Sequence, residues 1–218
     1  MSEGLILKAE GLALSPAGGS AKNPLQLELR GGQCALVLVR DLDYLRRLMR
    51  CCLGLDRPEA GAVSWWNGFV PESEENWDSY DFFRRIGYVD RQSQLLGGVR
   101  LRDHFILFSR YARQGHVIED SERLLAFFNL ESYLDHKADD LPEPQRRLAL
   151  YALALCRRPR LLLVERPVQF LDRDFSLVWG LVQNERDENG LACVVFDRGR
   201  SAYVSENFDQ LVNLEPEA

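Results

Sequence analysis

The sequence contains no apolar run that approaches the roughly 18 to 20 residues needed by a membrane-spanning helix. It opens with MSEGLILKAEG, which lacks the basic region followed by an apolar stretch that marks a secretory signal. We therefore expect a chain that does not itself cross a bilayer and that resides in the cytoplasm.

The sequence also lacks an excess of basic residues. Its formal net charge is -6, whereas nonspecific affinity for nucleic acid depends on clustered lysine and arginine. Hydrophobic residues make up 46% and charged residues 28% of the chain, which is typical of a folded globular protein. A general nucleic-acid binder is therefore excluded, and adjacent arginines are interpreted as solvated helix faces or partner contacts. These pairs are Arg46-Arg47, Arg84-Arg85, Arg146-Arg147 and Arg157-Arg158.

No C-x-x-C pair occurs, and the three histidines are widely separated in the sequence. The five cysteines lie among apolar neighbours, which favours buried thiols over disulfides or a metal site. We therefore predict no metal centre. The cysteines are Cys34, Cys51, Cys52, Cys156 and Cys193, and the histidines are His104, His116 and His136.

Two kinds of strand pattern are present. Residues 5–14 and 25–30 alternate apolar and polar side chains, which predicts two antiparallel strands joined by a turn-rich loop. Residues 35–39, 161–164 and 191–196 are continuous apolar runs, which are typical of buried parallel strands. The chain therefore combines an antiparallel N-terminal part with a parallel sheet.

Helical periodicity separates these strands. It predicts a helix over residues 44–53, and residues 101–140 are predicted to be helical throughout, with two amphipathic faces. Residues 210–214 form a last strand-like segment. Alternating strands and helices favour an α/β fold.

Residues 141–172 carry three short motifs in a defined order. A loop LPEPQ precedes a helix of about fourteen residues, which leads into the apolar strand 161–164 and then Glu165. This layout resembles the ATP-binding cassette (ABC) ATPase family, in which an L-S-G-G-Q loop caps a helix, a strand ends D-E-P and a turn ends L-D. The matching positions are Leu141, Pro142, Glu143, Pro144 and Gln145 in the loop, Glu165, Arg166 and Pro167 at the strand end, and Leu171 and Asp172 in the turn.

Two further stretches carry the same resemblance, which covers nearly the whole chain. GLDRPEAG at 54–61 matches the family pattern G-L-x-x-P-x-x-G, and IGYV at 86–89 matches R-x-I-G-Y-V-x-Q-x-x-x-L. The resemblance implies an α/β, ABC-ATPase-like fold of the phosphate-loop type, with a mostly parallel sheet, helices on its faces and an N-terminal antiparallel β-layer. It also implies a single domain over residues 1–218, with a helical lobe at about 92–140 inserted between two parts of the core.

The family's phosphate loop, G-x-x-G-x-G-K-[ST]-[ST], falls on residues 39–47, which are VRDLDYLRR. Glycines let backbone N–H groups surround the phosphates, the lysine neutralises their charge, and a hydroxyl holds magnesium. Bulky side chains at the glycine positions would block the backbone from phosphate. The glycine positions hold Val39, Leu42 and Tyr44, the lysine position holds Leu45, and the hydroxyl positions hold Arg46 and Arg47.

We interpret this stretch as a strand-to-helix connection that binds nothing. The alternative is that Arg46 and Arg47 at the helix start bind an anion by another route. The loop at 141–145 is also less suited to phosphate than the family loop, because Pro142 and Pro144 have no N–H to donate and Glu143 would repel phosphate.

The remaining family positions are also changed. Glu165 stands where the family has its magnesium-ordering aspartate, and Arg166 replaces the glutamate that polarises water. Arg166 cannot act as a general base, since its guanidinium stays protonated. Asp197 replaces the histidine that contacts the γ-phosphate, and Arg91 occupies the glutamine position, with Gln92 adjacent.

The resemblance therefore implies a degenerate ABC subunit, with no catalytic residues and no bound ATP or magnesium unless the altered site still binds them. Its expected partners are a membrane permease subunit, another ABC ATPase subunit, or both, in a homodimer or heterodimer at the inner face of the plasma membrane. Two alternatives stay open. One is a weakly active ATPase, for which Glu165, Gln92, Gln145 and Asp172 are the candidate residues, and the other is a soluble interaction module unrelated to transport.

Overall fold

The computed structural model describes residues 4–14, 23–66, 79–112, 116–168, 174–199 and 207–215. Strands and helices alternate through most of this chain. The strands are β1 (Leu5–Ala13), β2 (Leu25–Arg30), β3 (Cys34–Leu38), β4 (Ala60–Trp65), β5 (Ile86–Val89), β6 (Leu161–Glu165), β7 (Ala192–Asp197) and β8 (Gln210–Asn213). The helices are α1 (Leu42–Cys52), α2 (Ser79–Arg84), α3 (Leu101–Ala112), α4 (His116–Phe127), α5 (Glu143–Leu155) and α6 (Phe175–Asn189).

Five strands form a parallel sheet in the order β5-β6-β7-β3-β8. Every residue of β6 and β7 is buried. Burial on both faces is expected for parallel strands, whose connecting helices cover the sheet. The continuous apolar runs therefore identified these strands correctly.

A second sheet is antiparallel, with the order β2-β1-β4. Side chains of β2 alternate strictly between buried and exposed. This alternation confirms the antiparallel N-terminal layer predicted from the sequence. β1 carries register irregularities against both neighbours, and Gly11 adopts a φ of 61° where β1 shifts register.

Two hydrophobic cores are built on the faces of the parallel sheet. One contains side chains of α3, α4, α5 and α6, and the other joins the antiparallel sheet to α1. Alternate residues of β3, β6 and β7 contribute to one core and then the other, as the period of a strand requires. The described chain thus forms layers around the central sheet.

The helical prediction for residues 101–140 was right for α3 and α4 and wrong for part of the segment after α4. Two short 3₁₀ turns, Glu131–Tyr133 and Ala138–Asp140, replace a continuous helix. Asn129 adopts a left-handed φ of 53°, and Leu130 N–H donates to Leu125 O at 2.8 Å, which ends α4. The single domain over 1–218 and the lobe inserted at 92–140 stay predictions.

His104 has a structural role that the sequence did not reveal. Its ring is buried, and Nε2 accepts a hydrogen bond from the Leu96 N–H at 2.8 Å. The proton must then lie on Nδ1, which donates to Arg100 O at 2.9 Å. The ring therefore fixes the segment after β5 against the first turn of α3.

The prediction of five buried thiols is confirmed, since all five cysteines are free and buried. Burial raises the pKa of Cys51 to about 11, so its thiol keeps its proton at neutral pH. Within the described ranges, no group of three or more His, Cys, Asp and Glu side chains could hold a metal ion. The helices among those residues include none with the length and apolarity of a membrane span.

Replacing Gly61 by alanine is expected to lower the free energy of unfolding by at least about 2 kcal/mol. The new Cβ would lie 2.3 Å from the carbonyl oxygens of Glu10 and Gly11, at a φ of 79°. Denaturant unfolding followed by tryptophan fluorescence measures the change. Gly98→Ala is the matched control, because nothing lies within 4 Å of its added Cβ. Its effect should stay below about 0.5 kcal/mol, and two variants of equal stability would contradict the prediction.

Candidate functional site

The connection from β3 to α1 lies where the family resemblance places a phosphate loop. Only residues 39–41 separate Leu38 from Leu42, so the helix begins two residues before the predicted start. Asp41 caps α1, and its Oδ1 accepts from the backbone N–H groups of Asp43 at 2.9 Å and Tyr44 at 3.1 Å. The start of the helix, where an anion would bind, already holds a carboxylate of this chain.

Other N–H groups of the same stretch also have internal acceptors. Val39 N–H donates to Asp197 O at 2.8 Å, and Arg40 N–H donates to Glu215 Oε1 at 2.7 Å. In a phosphate loop, backbone N–H groups would face phosphate oxygens. Two carboxylates, those of Asp41 and Glu215, take that place here.

The side chains at two of the three glycine positions and at the lysine position are part of the core, whereas Leu42 is only partly buried. Val39, Tyr44 and Leu45 are 0%, 2% and 0% exposed, and they pack in the cluster that joins α1 to the antiparallel sheet. The Tyr44 hydroxyl has no hydrogen-bond partner among the described residues. A side chain at position 45 therefore faces apolar neighbours, where a lysine ammonium could not reach a phosphate.

Glu165 is the most deeply buried charged group of the site. Its side chain is 0% exposed, and its Oε1 lies 3.6 Å from Nε of Arg46, which is an ion pair beyond hydrogen-bond distance. Its Oε2 accepts from the Arg91 backbone N–H at 3.3 Å. A buried carboxylate needs a cation or several donors. The guanidinium of Arg46 supplies positive charge that a bound metal ion would otherwise bring.

The arginines at the hydroxyl positions are both engaged with carboxylates. Arg46 contacts Glu165, and Arg47 lies 2.8 Å from Glu59 Oε1. An external anion would have to compete with these internal partners. The alternative in which the two arginines bind an anion therefore has no support from their contacts.

A second ion pair joins the ends of β6 and β7. Arg166 adopts a left-handed φ of 47°, and its Nε lies 3.8 Å from Asp197 Oδ1. Both side chains are largely buried, at 8% and 11% exposure. Nε of Arg198 donates to Arg40 O at 2.8 Å. The two residues that the resemblance places at the positions of the catalytic glutamate and histidine thus form an ion pair with each other.

The loop at 141–145 begins α5. Pro142 occupies the cap position without a side-chain hydrogen bond, and Leu141 is buried. The Glu143 carboxylate accepts from Arg147 Nε at 2.9 Å and lies 3.5 Å from Arg146. Its charge is therefore balanced within the helix. Asp172, the predicted turn residue, lies outside the described residues, as does Leu171.

The structure places Arg46 and Arg91 against Glu165 and pairs Arg166 with Asp197. It also gives contacts at this site that the sequence analysis did not predict, made by Asp41, Arg198 and Glu215. Asp41 had a partial signal, since aspartate is a typical N-cap, but the predicted helix began at residue 44 and so favoured Asp43. Glu215 had none, because its partner Arg40 is 175 residues away in the sequence.

An apolar groove of about 610 Å³ lies between the segment after β5, α3 and α5. Leu107, Phe108 and Leu153 contribute to its walls, and Arg157 lies over the Phe108 ring with 5.2 Å from the guanidinium carbon to the ring centroid. Leu96 and Leu107 on its walls are 61% and 39% exposed. A continuous apolar surface of this kind is typical of a docking site.

The layers, the sheet order and the site together define the ABC-ATPase fold. An ATP-binding subunit of an ABC transporter shares it with a TM-score of 0.80 at 18% identity, over 96% of this chain and 86% of that one. The cbiO1 protein of Clostridium perfringens, part of the cbiONQ transporter complex, gives 0.77 at 15% identity, over 98% and 86%. A bacterial ABC transporter cassette solved as a dimer gives 0.74 at 17% identity, over 96% and 94%. The predicted fold class is confirmed.

The sequence relatives are ATP-binding proteins of transport systems. This chain is 28% identical over 160 residues to the molybdenum import ATP-binding protein ModC 2 of Azotobacter vinelandii, covering 71% of this chain and 42% of that protein. It is 25% identical over 193 residues to the phosphonates import ATP-binding protein PhnC 2 of a Synechococcus strain, covering 83% and 71%. It is 27% identical over 191 residues to the Nod factor export ATP-binding protein I of Burkholderia lata, covering 85% and 57%.

The match thus spans less than two thirds of two of these three relatives. No protein-family model matches the chain. ABC transporter ATP-binding subunits are the proteins that this chain resembles in both sequence and fold.

Replacing Asp41 by alanine is expected to lower the free energy of unfolding by about 1 kcal/mol, because two N–H groups at the start of α1 lose their acceptor. Asp41→Asn keeps an oxygen at the same place and should change it by no more than about 0.5 kcal/mol. Urea unfolding monitored by circular dichroism measures both variants. If Asp41→Ala and Asp41→Asn both left the free energy of unfolding unchanged, the Asp41 side chain would not be capping the helix.

Proposed function

We propose that this chain is an ABC-type subunit that neither binds nor hydrolyses ATP and that serves as a structural or regulatory partner in a membrane transport complex. It acts in the cytoplasm, at the inner face of the membrane, through a permease subunit and a second ATPase subunit. The observation that carries the proposal is the filling of the phosphate-loop position by internal partners. Asp41 and Glu215 accept hydrogen bonds from backbone N–H groups of this stretch, and Arg46 pairs with Glu165, which supports the proposal.

The residues that replace the family's catalytic groups cannot supply their rate enhancements. A general base and an electrostatic clamp each contribute roughly 10² to 10⁴ in rate. Arg166 replaces the base, and Leu45 replaces the clamp lysine in a buried position. Such effects are not additive, but the replacement of both groups supports a subunit without turnover.

The apolar groove supports a membrane partner as the occupant. Its lining is apolar except for a few groups such as Arg157, so it suits an amphipathic helix that buries its apolar face. The cbiO1 protein, which shares this fold, is part of the cbiONQ transporter complex. We propose that a cytoplasmic helix of a permease subunit binds between α3 and α5.

The relatives indicate no single substrate for that complex, because they divide between import and export and between unlike cargoes. The weakly active ATPase is less well supported than a subunit without turnover. Glu165 is its strongest candidate residue, and the Glu165 carboxylate already faces Arg46 and the Arg91 N–H.

Calorimetric titration with ATP and magnesium is expected to show no saturable binding at millimolar nucleotide. The reason is that five backbone donors of this stretch already have acceptors in the chain. They are the N–H groups of Val39, Arg40, Asp43, Tyr44 and Leu45. ADP with magnesium and ATP with a chelator serve as controls for nonspecific heat. Saturable binding that Arg46→Met abolishes and Arg50→Met preserves would overturn the proposal. Arg50 is the matched control because it lies on the same helix and pairs with Asp56 at the surface.

Introducing a charge into the groove should disrupt partner binding without unfolding the chain. Leu107→Glu places a carboxylate on the groove wall, and we expect retention of a polytopic membrane protein from solubilised membranes to fall about tenfold or more. Quantitative mass spectrometry of the material bound to the tagged chain measures this loss.

Leu211→Glu is the matched control, since Leu211 is 44% exposed on β8 and does not line the groove. It should retain the same membrane protein as the natural chain. Equal retention by both variants would exclude the groove as the docking site. Capture of soluble proteins alone would contradict the transport role.

A further inference from the structure

The apolar groove between α3 and α5 carries charge of one sign. Among the described residues that line it, none is Asp, Glu or Lys, and Arg157 alone has a full charge. His104 also lines the groove, but its Nε2 accepts a hydrogen bond from the Leu96 N–H, so the ring is neutral. The lining of the groove therefore has one positive charge and no negative charge to balance it.

Arg157 lies at one end of the wall that α5 supplies. The wall residues Leu150, Leu153 and Ala154 belong to α5, and Arg157 follows the end of the helix at the same spacing of three and four positions. At 1.5 Å per residue, Arg157 lies about 10 Å from Leu150 along the helix axis. This wall is thus apolar along the helix and cationic just beyond its C-terminal end.

The Arg157 side chain is held against the groove rather than extended into solvent. Its guanidinium carbon lies 5.2 Å from the centroid of the Phe108 ring on α3, and the residue is half-buried. A helix that filled the groove would remove this cation further from water. Covering a cation is unfavourable unless an opposite charge comes with the partner. A partner helix whose bound face is entirely apolar is therefore disfavoured.

We infer that the helix that binds in this groove carries an Asp or Glu side chain that pairs with Arg157. The inference rests on the proposed function, because it specifies the partner of the same groove. The remainder of the bound face is apolar, to match Leu107 and Leu153 on the two walls. The carboxylate lies at the end of that face nearest the C-terminus of α5. Arg157 then sets the direction of the helix, because the reversed helix would place its carboxylate against apolar side chains.

Arg157→Met tests the charge, because methionine keeps an unbranched apolar stem that packs against Phe108. The tagged full chain is incubated with solubilised membranes, and the retained polytopic membrane protein is quantified by mass spectrometry. We expect its amount to fall about tenfold or more in Arg157→Met, because the partner carboxylate is then covered without a cation. Arg157→Lys keeps the positive charge and should retain more of the membrane protein than Arg157→Met.

Arg160→Met is the matched control. Arg160 is an exposed arginine three residues further along the chain, and it does not line the groove. This variant should retain as much membrane protein as the natural chain. Equal retention by Arg157→Met and the natural chain would overturn the inference and leave docking in the groove intact. Failure of the natural chain to retain any membrane protein would overturn the proposed transport role and this inference with it.

Carbodiimide coupling of the Arg157→Lys complex identifies the group that faces position 157. The reagent joins the introduced amine directly to a contacting carboxylate as an amide, with no spacer. We expect a cross-linked peptide that joins position 157 to an Asp or Glu of the membrane protein, and none at position 160 in Arg160→Lys. A partner that meets position 157 with helix carbonyl groups or apolar side chains gives no such product. Its absence from a retained complex would overturn the inference.

Discussion

The site depends on the charge of one buried carboxylate. Glu165 ends β6 within the parallel sheet, and its side chain is inaccessible to solvent. Leaving such a group unpaired would cost several kcal/mol. Arg46 extends from α1 to meet it, and the backbone N–H of Arg91 reaches it from the segment after β5. Three elements that are distant in sequence are therefore held together by one electrostatic requirement.

The same principle explains the neighbouring contacts. The carboxyl ends of parallel strands form the crevice where α/β proteins bind ligands. Here that crevice contains the chain's own charges: Asp197 with Arg166, and Glu215 with the Arg40 N–H. Since each of these charges has an opposite charge or a backbone donor nearby, the residues at the family positions are mutually compatible without a ligand.

Much of the fold could be predicted because the burial of a strand determines its pattern of apolar residues. The continuous apolar runs of β6 and β7 and the alternation of β2 followed from which faces meet the core. The end of α4 at Asn129 could not be predicted from periodicity, because the next residues keep enough apolar side chains to continue the pattern. The left-handed backbone conformation of Asn129 ended the helix there, although the apolar periodicity continued.

The candidate site was less predictable than the fold. The structure places residues 39–41, Glu165 and Asp197 at the carboxyl ends of β3, β6 and β7, at one end of the parallel sheet. The pairing of Arg46 with Glu165, and of Arg40 N–H with Glu215, depends on tertiary distances that a single sequence does not encode locally. Asp41 was the exception, because a helix cap is a local feature.

The crevice at the strand ends holds the chain's own charges, so the proposed partner role depends on the apolar groove. Ser93, Gln94 and Leu95 contribute to the wall of that groove. His104 fixes the backbone of Leu96 just beyond them through a hydrogen bond from a buried ring. A helix that binds in the groove would therefore meet a wall whose backbone is already ordered, which lowers the entropic cost of binding.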